Sequence, residues 1–203
     1  VYYSNLMNKI YETDINGSYK NEFHAAGSSV YALEIGGEND EIYWSEGSGG
    51  TSSSIYKSSL NNYNPEFVID IVGSYASDIY YINETDDLYW CAHYNMGEEL
   101  GGVYYNDNGV PSLLIPASDG TEIHDICIDE DNEFIYWIEW GWGSPSTQLY
   151  RANIDDPVST QITVANFGSE EIRSLQFDPF QQRIYYTSTN NINNVSYYDL
   201  ELE

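Results

Sequence analysis

The sequence predicts an all-β fold, a β-propeller of about five four-stranded blades. Three observations carry that expectation: two signatures recur with one period, strand-forming residues dominate every unit, and aromatic residues stand in consecutive pairs. The first signature is an apolar residue followed by two aromatics. It occurs as Val1-Tyr2-Tyr3, Ile42-Tyr43-Trp44, Leu88-Tyr89-Trp90, Ile135-Tyr136-Trp137 and Ile184-Tyr185-Tyr186, with central tyrosines 41, 46, 47 and 49 residues apart. The second follows each of these and starts at Ile10, Ile55, Val103, Leu149 and Val195, spacings of 45, 48, 46 and 46 residues. Its fullest copy is Leu149-Tyr150-Arg151-Ala152-Asn153-Ile154; the third copy lacks the final apolar residue and the last has Ser196 in the Tyr place. Two signatures sharing a period mark a repeat protein.

Within each unit the segments are short, rich in Tyr, Ile, Val and Trp, and bounded by Gly, Asn, Asp and Ser, which reads as strands. In the fourth unit they fall at about 123–128, 134–138, 148–153 and 161–164. Asn16-Gly17 and Asn108-Gly109 are expected to form type I′ hairpin turns, because both residue types accept positive φ. No stretch sustains a 3.6-residue apolar period. Successive strand side chains point to opposite faces, so consecutive aromatics require a sheet covered on both sides, as a blade is by its neighbours. This assigns Tyr3, Trp44, Trp90, Trp137 and Tyr186 to the core between blades.

The units run approximately 1–27, 28–73, 74–118, 119–166 and 167–203, one domain. The first unit starts on its second strand and the last lacks most of its outer strand, so the chain reads as a segment of a longer one. Either the two ends complement each other or strands come from elsewhere, since an unpaired edge is a template for pairing.

The chain carries 33 acidic and 6 basic residues, a formal net charge of −27. Such a charge repels nucleic-acid phosphates and anionic lipid, which excludes a nucleic-acid-binding module. It leaves a solvated surface or a cationic partner. No apolar run approaches the ~20 residues that span a bilayer, so no membrane insertion is expected. Cys91 and Cys127 can form one bridge or stand as two buried thiols. Asn16, Asn83 and Asn194 head N-x-S/T sequons and are candidate glycosylation sites, though chance supplies about three in a chain of this composition.

The apolar-Tyr-Trp run, followed by a segment such as Leu149-Tyr150-Arg151-Ala152-Asn153-Ile154, resembles the Tyr-Trp-Thr-Asp (class B) propeller repeats of the low-density lipoprotein receptor family. Upstream, Cys127-Ile128-Asp129 and Gln176-Phe177-Asp178 match as well, each Asp seven residues ahead of its Tyr. The Thr-Asp half is poorly kept: Ser4-Asn5, Ser45-Glu46, Cys91-Ala92, Ile138-Glu139 and Thr187-Ser188 stand there. Gly36 and Ile82 occupy the upstream Asp place in the second and third units. The resemblance implies an extracellular or cell-surface propeller that holds protein ligands or builds matrix contacts. Family rings usually close with six blades, against five motif copies here.

Catalytic signals are weak, and no enzyme is expected. His24, His93 and His124 lack ligand spacing, and no nucleophile elbow or phosphate loop occurs. Carboxylates could serve a glycosidase, but nothing singles out a pair. Acidic clusters at Glu38-Asn39-Asp40-Glu41, Asp86-Asp87 and Asp129 to Glu133 fall in the turn between first and second strands. No cofactor is expected, with Ca²⁺ the one ion such oxygen-rich turns would admit. Trp140 and Trp142, in Glu139-Trp140-Gly141-Trp142-Gly143-Ser144-Pro145, extend beyond the repeat into a turn and are candidate exposed binding aromatics. The expected function is a non-catalytic binding or structural module working through a protein partner or copies of itself. The alternative is a receptor-type or lectin-like domain recognising a glycan or protein, and a glycosidase-like propeller comes third.

Overall fold

A computed structural model describes residues 1–4, 8–37, 40–47, 53–71, 75–92, 101–141, 146–191 and 194–200. Five antiparallel sheets follow one another along the chain as the blades of a β-propeller, the predicted fold class. Blade 1 holds β1 (Tyr2–Ser4), β2 (Lys9–Glu12) and β3 (Asn21–Ala25). Blade 2 holds β4 (Ser29–Gly36), β5 (Glu41–Gly47), β6 (Ser53–Ser59) and β7 (Glu66–Ile71). Blade 3 holds β8 (Ala76–Ile82), β9 (Asp87–Ala92), β10 (Gly102–Asp107) and β11 (Val110–Pro116). Blade 4 holds β12 (Thr121–Asp129), β13 (Phe134–Gly141), β14 (Thr147–Asn153) and β15 (Ile162–Gly168). Blade 5 holds β16 (Ile172–Asp178), β17 (Arg183–Ser188) and β18 (Ser196–Asp199). Each sheet is a simple meander, and β4, β8, β12 and β16 pack side by side as the innermost strands. No helix among the described residues is long and apolar enough to cross a membrane.

The paired aromatics explain the packing. Period-two alternation sends the two aromatics of each signature to opposite faces of their blade. Trp44 joins Ile10, Ala26, Val30 and Ile42 between blades 1 and 2, while Tyr43 joins Tyr81, Trp90 and Tyr104 between blades 2 and 3. The next two interfaces repeat this, with Tyr89 and Trp137 in one and Tyr136 and Tyr186 in the other. The tryptophan therefore faces the preceding blade and the tyrosine the following one. Register reinforces the pattern: Trp44 lies opposite Tyr56, Trp90 opposite Tyr104 and Trp137 opposite Tyr150. Each pair stacks, with ring centroids 6.1, 6.1 and 5.4 Å apart.

Turn chemistry also repeats. Asp40, Asp86, Glu133 and Gln182 each take positive φ, between 51° and 62°, just before the second strand of blades 2 to 5. The carbonyls of Asp40, Glu133 and Gln182 accept the N–H of Leu60, Ile154 and Leu200, tying the end of the third strand back to that turn. Asn108 and Gly109, at φ 53° and 87°, form the two-residue hairpin between β10 and β11. Asn16-Gly17 corrects its expectation. It sits in the longer β2–β3 connection, where Asp14 Oδ1 accepts the N–H of Asn16 and Ser18 at 3.2 and 2.7 Å, so an Asp-centred turn replaces the type I′ hairpin. Gly36, standing where the resemblance would place Asp, has a steric reason: a Cβ there would lie 2.3 Å from the Tyr81 ring of the next blade.

Candidate functional site

Among the described residues, two blade faces have no neighbouring blade packed on them. On blade 1, Tyr3 lies opposite Tyr11 and stacks on it at 5.5 Å, the counterpart of the Trp–Tyr stacks that face a preceding blade elsewhere. Tyr3 is 36% exposed, whereas Trp44 and Trp90 are fully buried. This departs from its assignment to the inter-blade core: among the described residues no other blade packs on it. On blade 5, Tyr185 and Tyr197 lie opposite each other at 5.9 Å, the counterpart of the covered Tyr89–Tyr105 pair, and Tyr197 is 50% exposed. Among the described residues every consecutive pair of blades shares a buried apolar cluster, and none joins blade 5 to blade 1. Cations cap both faces. Lys20 Nζ lies 3.7 Å from the Tyr11 ring centroid, and the Arg183 guanidinium lies 4.3 Å from that of Tyr197. These two faces form the candidate interface.

A second cluster lies on the innermost strands. A β-bulge interrupts β4, β8, β12 and β16 at corresponding places. Beyond the bulges, carboxylates accept backbone amides of the next blade's innermost strand. Glu34 accepts from the Tyr81 amide, Asp78 Oδ2 from the Ile126 amide at 3.2 Å, and Asp125 from the Leu175 amide. Asp78 and Asp125 are also hydrogen bonded to each other, so one of them carries a proton. Burial first, and then the charge of Asp78, pushes the Asp125 carboxyl well above its ordinary value; burial raises Asp78 too. Burial and the charge of Asp78 push Glu34 up to about 7. Burial, reinforced by the two aspartates, likewise raises the thiols of Cys91 and Cys127. The carboxylates therefore act as clasps between blades. Nearby, a hollow of about 330 Å³ opens between blades 3 to 5, lined in part by Tyr80, Asp129, Glu130, Asp131 and Gln176.

The glutamates in the second half of the repeat motif clasp as well. Glu139 Oε1 accepts the Ser118 amide at 2.5 Å and the Thr121 hydroxyl, and Glu46 accepts the Gly27 amide. Both receive the loop that enters their own blade. A glutamate here supplies the polar anchor where the resembled motif has aspartate.

The remaining sequence-derived residues distribute as follows. Trp44, Trp90 and Trp137 are buried and Tyr186 is half-buried. Trp140 corrects its assignment as a turn aromatic: β13 continues through Gly141, Trp140 pairs with Glu122 and Thr147, and its half-buried ring lies 5.9 Å from that of His124. Trp142 and His93 lie outside the described residues. Cys91 and Cys127 are separate buried thiols, which corrects the bridge and leaves the small-hydrophobe reading. Asn16, Asn83 and Asn194 are exposed, and Asn83 Oδ1 accepts the Gly37 amide at 2.8 Å. Of the acidic turns, Glu38 and Asn39 lie outside the described residues; among the described ones no group of three His, Cys, Asp or Glu is placed to hold a metal ion. The inner-strand carboxylates were missed because they lie outside both repeat signatures; the one sequence signal was a lone acid inside an apolar strand, at Asp78 and Asp125.

No family model matches the chain, and no curated protein does. Solved structures do. The chain superposes on a structure of a nidogen/laminin complex with TM-score 0.71 and 13% identity, covering 98% of this chain and 76% of that one. It superposes on Kuenenia stuttgartiensis hydrazine synthase with TM-score 0.74 and 11% identity, covering 98% and 60%. For an oligogalacturonate lyase in complex with manganese the values are 0.62 and 10%, covering 98% and 58%. The chain thus spans less than two thirds of the two enzyme chains. At these identities the likeness concerns architecture alone, and what it establishes is that this chain folds as a β-propeller.

Proposed function

We propose that the chain is a non-catalytic binding and structural propeller of an extracellular or surface assembly, docking a protein partner on its two uncovered blade faces. The observation that carries this reading is the Tyr3–Tyr11 stack on one face and the Tyr185–Tyr197 pair on the other, with Tyr3 and Tyr185 standing where other blades bury the corresponding aromatics. A matching partner presents a blade-like sheet, and a second copy is the simplest one. Trailing face against leading face is the contact made four times within the chain. Such a head-to-tail contact is heterologous and grows into rings or filaments. Lys20 and Arg183 lower the negative charge at the faces where copies of a −27 chain would meet. The nidogen/laminin neighbour lends support, as a propeller of this architecture found with a protein partner. A non-catalytic role is supported by the clasping of Asp78 and Asp125, whose oxygens are engaged by each other and by backbone amides.

Sedimentation velocity over a concentration series tests the proposal. The expected result is reversible association, weakened by Tyr3→Glu alone and by Tyr197→Glu alone, because each contact uses one face of each kind. A species that stays monomeric throughout, or that associates equally well in both variants, would sink the reading.

A further inference from the structure

Blades 1 and 2 meet at a polar knot that neither the docking faces nor the inner clasps use. His24, on β3, is buried. Its Nε2 donates to Glu46 Oε1 at 2.8 Å, and the same oxygen accepts the Trp44 indole N–H at 2.7 Å. The Gly27 amide is a third donor to that carboxylate. Burial acts to raise the Glu46 carboxyl, but these hydrogen bonds outweigh it and hold the group below its ordinary value, so it is ionised at neutral pH. An ionised acceptor fixes the proton of His24 on Nε2. In the neutral imidazole this leaves Nδ1 to accept, and its hydrogen-bond partner is the hydroxyl of Tyr63. Burial and the charge of Glu46 raise the Tyr63 phenol, which therefore stays protonated and donates. Tyr63 is 47% exposed, with one edge held against Phe23 at 5.5 Å. In that form a phenol in contact with solvent has its proton aimed at a base oriented by a half-buried carboxylate.

That geometry is poor for a nucleophile, which needs phenolate, and well suited to loss of an electron together with a proton. Oxidising an isolated phenol gives a strongly acidic radical cation, and a hydrogen-bonded imidazole avoids that intermediate by taking the proton as the electron leaves. Glu46 stabilises the imidazolium so formed, much as a buried carboxylate stabilises the protonated histidine of a hydrolytic triad. The neighbouring Trp44 is fully buried, so the electron leaves to solvent from Tyr63.

We propose that Tyr63 is an oxidative modification site: a one-electron oxidant in solution removes an electron from its phenol while the phenolic proton passes to His24 Nδ1, and two such radicals on different copies couple into a dityrosine cross-link. The balance closes. Each phenol loses one electron to the oxidant and one proton to His24, which returns it to solvent. A carbon–carbon bond forms between ring positions ortho to the oxygens, and the two displaced ring hydrogens return to those oxygens as both rings rearomatise. Two electrons and two protons leave per cross-link.

The test uses tris(bipyridine)ruthenium with persulfate under light, followed by peptide mass spectrometry. Tyr19 and Tyr197, 43% and 50% exposed, are the controls for the rates, which are read at a dilution where the chain is monomeric, and neither has a histidine among its described partners. Tyr63 should be consumed about tenfold faster than either, the rate equivalent of roughly one net hydrogen bond. Its rate should fall in D₂O while theirs do not, and His24→Gln should reduce it to theirs. Tyr63→Phe, which keeps the ring beside Phe23, should remove most of the cross-linked dimer. Equal rates for the three tyrosines, or a fast Tyr63 in a folded His24→Gln chain, overturn the site. A dimer yield unchanged in Tyr63→Phe overturns the cross-link. Should His24→Gln fail to fold, the rate comparison and the D₂O effect in the wild-type chain decide alone.

Discussion

At the scale of the residue, the buried carboxylates give the fold a pH dependence whose sign can be worked out. Glu34 moves from an ordinary value of 4.5 to about 7, through burial and the charge of Asp78. A carboxyl raised on folding binds its proton more tightly in the native state. Its contribution to stability is complete below about 4.5 and is lost as the pH rises through about 7. Asp78 and Asp125 act in the same direction. Glu46 and Asp14 act in the opposite one: both are held below their ordinary values, and what they contribute is lost as the pH falls through the acid range. Glu34→Gln isolates the first effect, because the amide oxygen can still accept from Ile35 and Tyr81 while the ionisation disappears. We predict that thermal unfolding of Glu34→Gln matches the wild type near pH 4.5 and exceeds it at pH 8. A variant less stable than wild type at pH 8 would show that the carboxylate is needed in its charged form. None of this was legible in the sequence, where Glu34 is one of 33 acids and only the packing of β4 against β8 brings it beside the Tyr81 amide.

At the scale of the element, the repeat motif was legible and its consequences were not uniform. Two signatures predicted strand order, turn placement and the consecutive aromatics, because a strand covered on both faces leaves a pattern that no half-wet strand shares. They could not show that one motif position has two environments. Trp90 is fully buried between blades 2 and 3, whereas Tyr3, at the same place in its unit, is 36% exposed. Trp90→Ala should cost about 3–5 kcal/mol, the range for large core aromatics, while Tyr3→Ala should stay within about 1 kcal/mol. Urea unfolding of both variants checks this, with the slope of the transition held as a control on two-state behaviour. Near-equal losses would mean that blade 1 is covered in solution. Trp140 shows the opposite limit. The run Trp140-Gly141-Trp142 read as a turn because glycine punctuates strands, yet β13 continues through Gly141, where Glu122 and Thr147 flank Trp140 in the sheet. Tertiary pairing overrode local composition there.

At the scale of the whole molecule, a chain of net charge −27 holds five blades together against its own repulsion. Where its few cations sit is not legible from residue spacing. Lys9 pairs with Glu22 and Lys57 with Glu41, Arg183 pairs with Asp199, and Lys20 and Arg151 lie over aromatic rings. Each already has a local partner, so bulk repulsion among the remaining acids is left to solvent ions. The Debye length falls from about 30 Å at 0.01 M salt to about 10 Å at 0.1 M, from the size of a small domain to the spacing of packed sheets. Raising ionic strength through that range should therefore raise the unfolding temperature. The same screening acts between copies, so association through the uncovered faces should strengthen with salt. Screening of the Lys20 and Arg183 contacts opposes this only weakly, because both cations lie over rings whose apolar burial is insensitive to salt. Differential scanning calorimetry and sedimentation velocity, run on the same samples at both salt concentrations, separate the outcomes. Both quantities should rise together. Association that weakened with salt while the unfolding temperature rose would show that attraction between opposite charges on the two copies, with Lys20 and Arg183 facing acids of the other copy, outweighs their net repulsion.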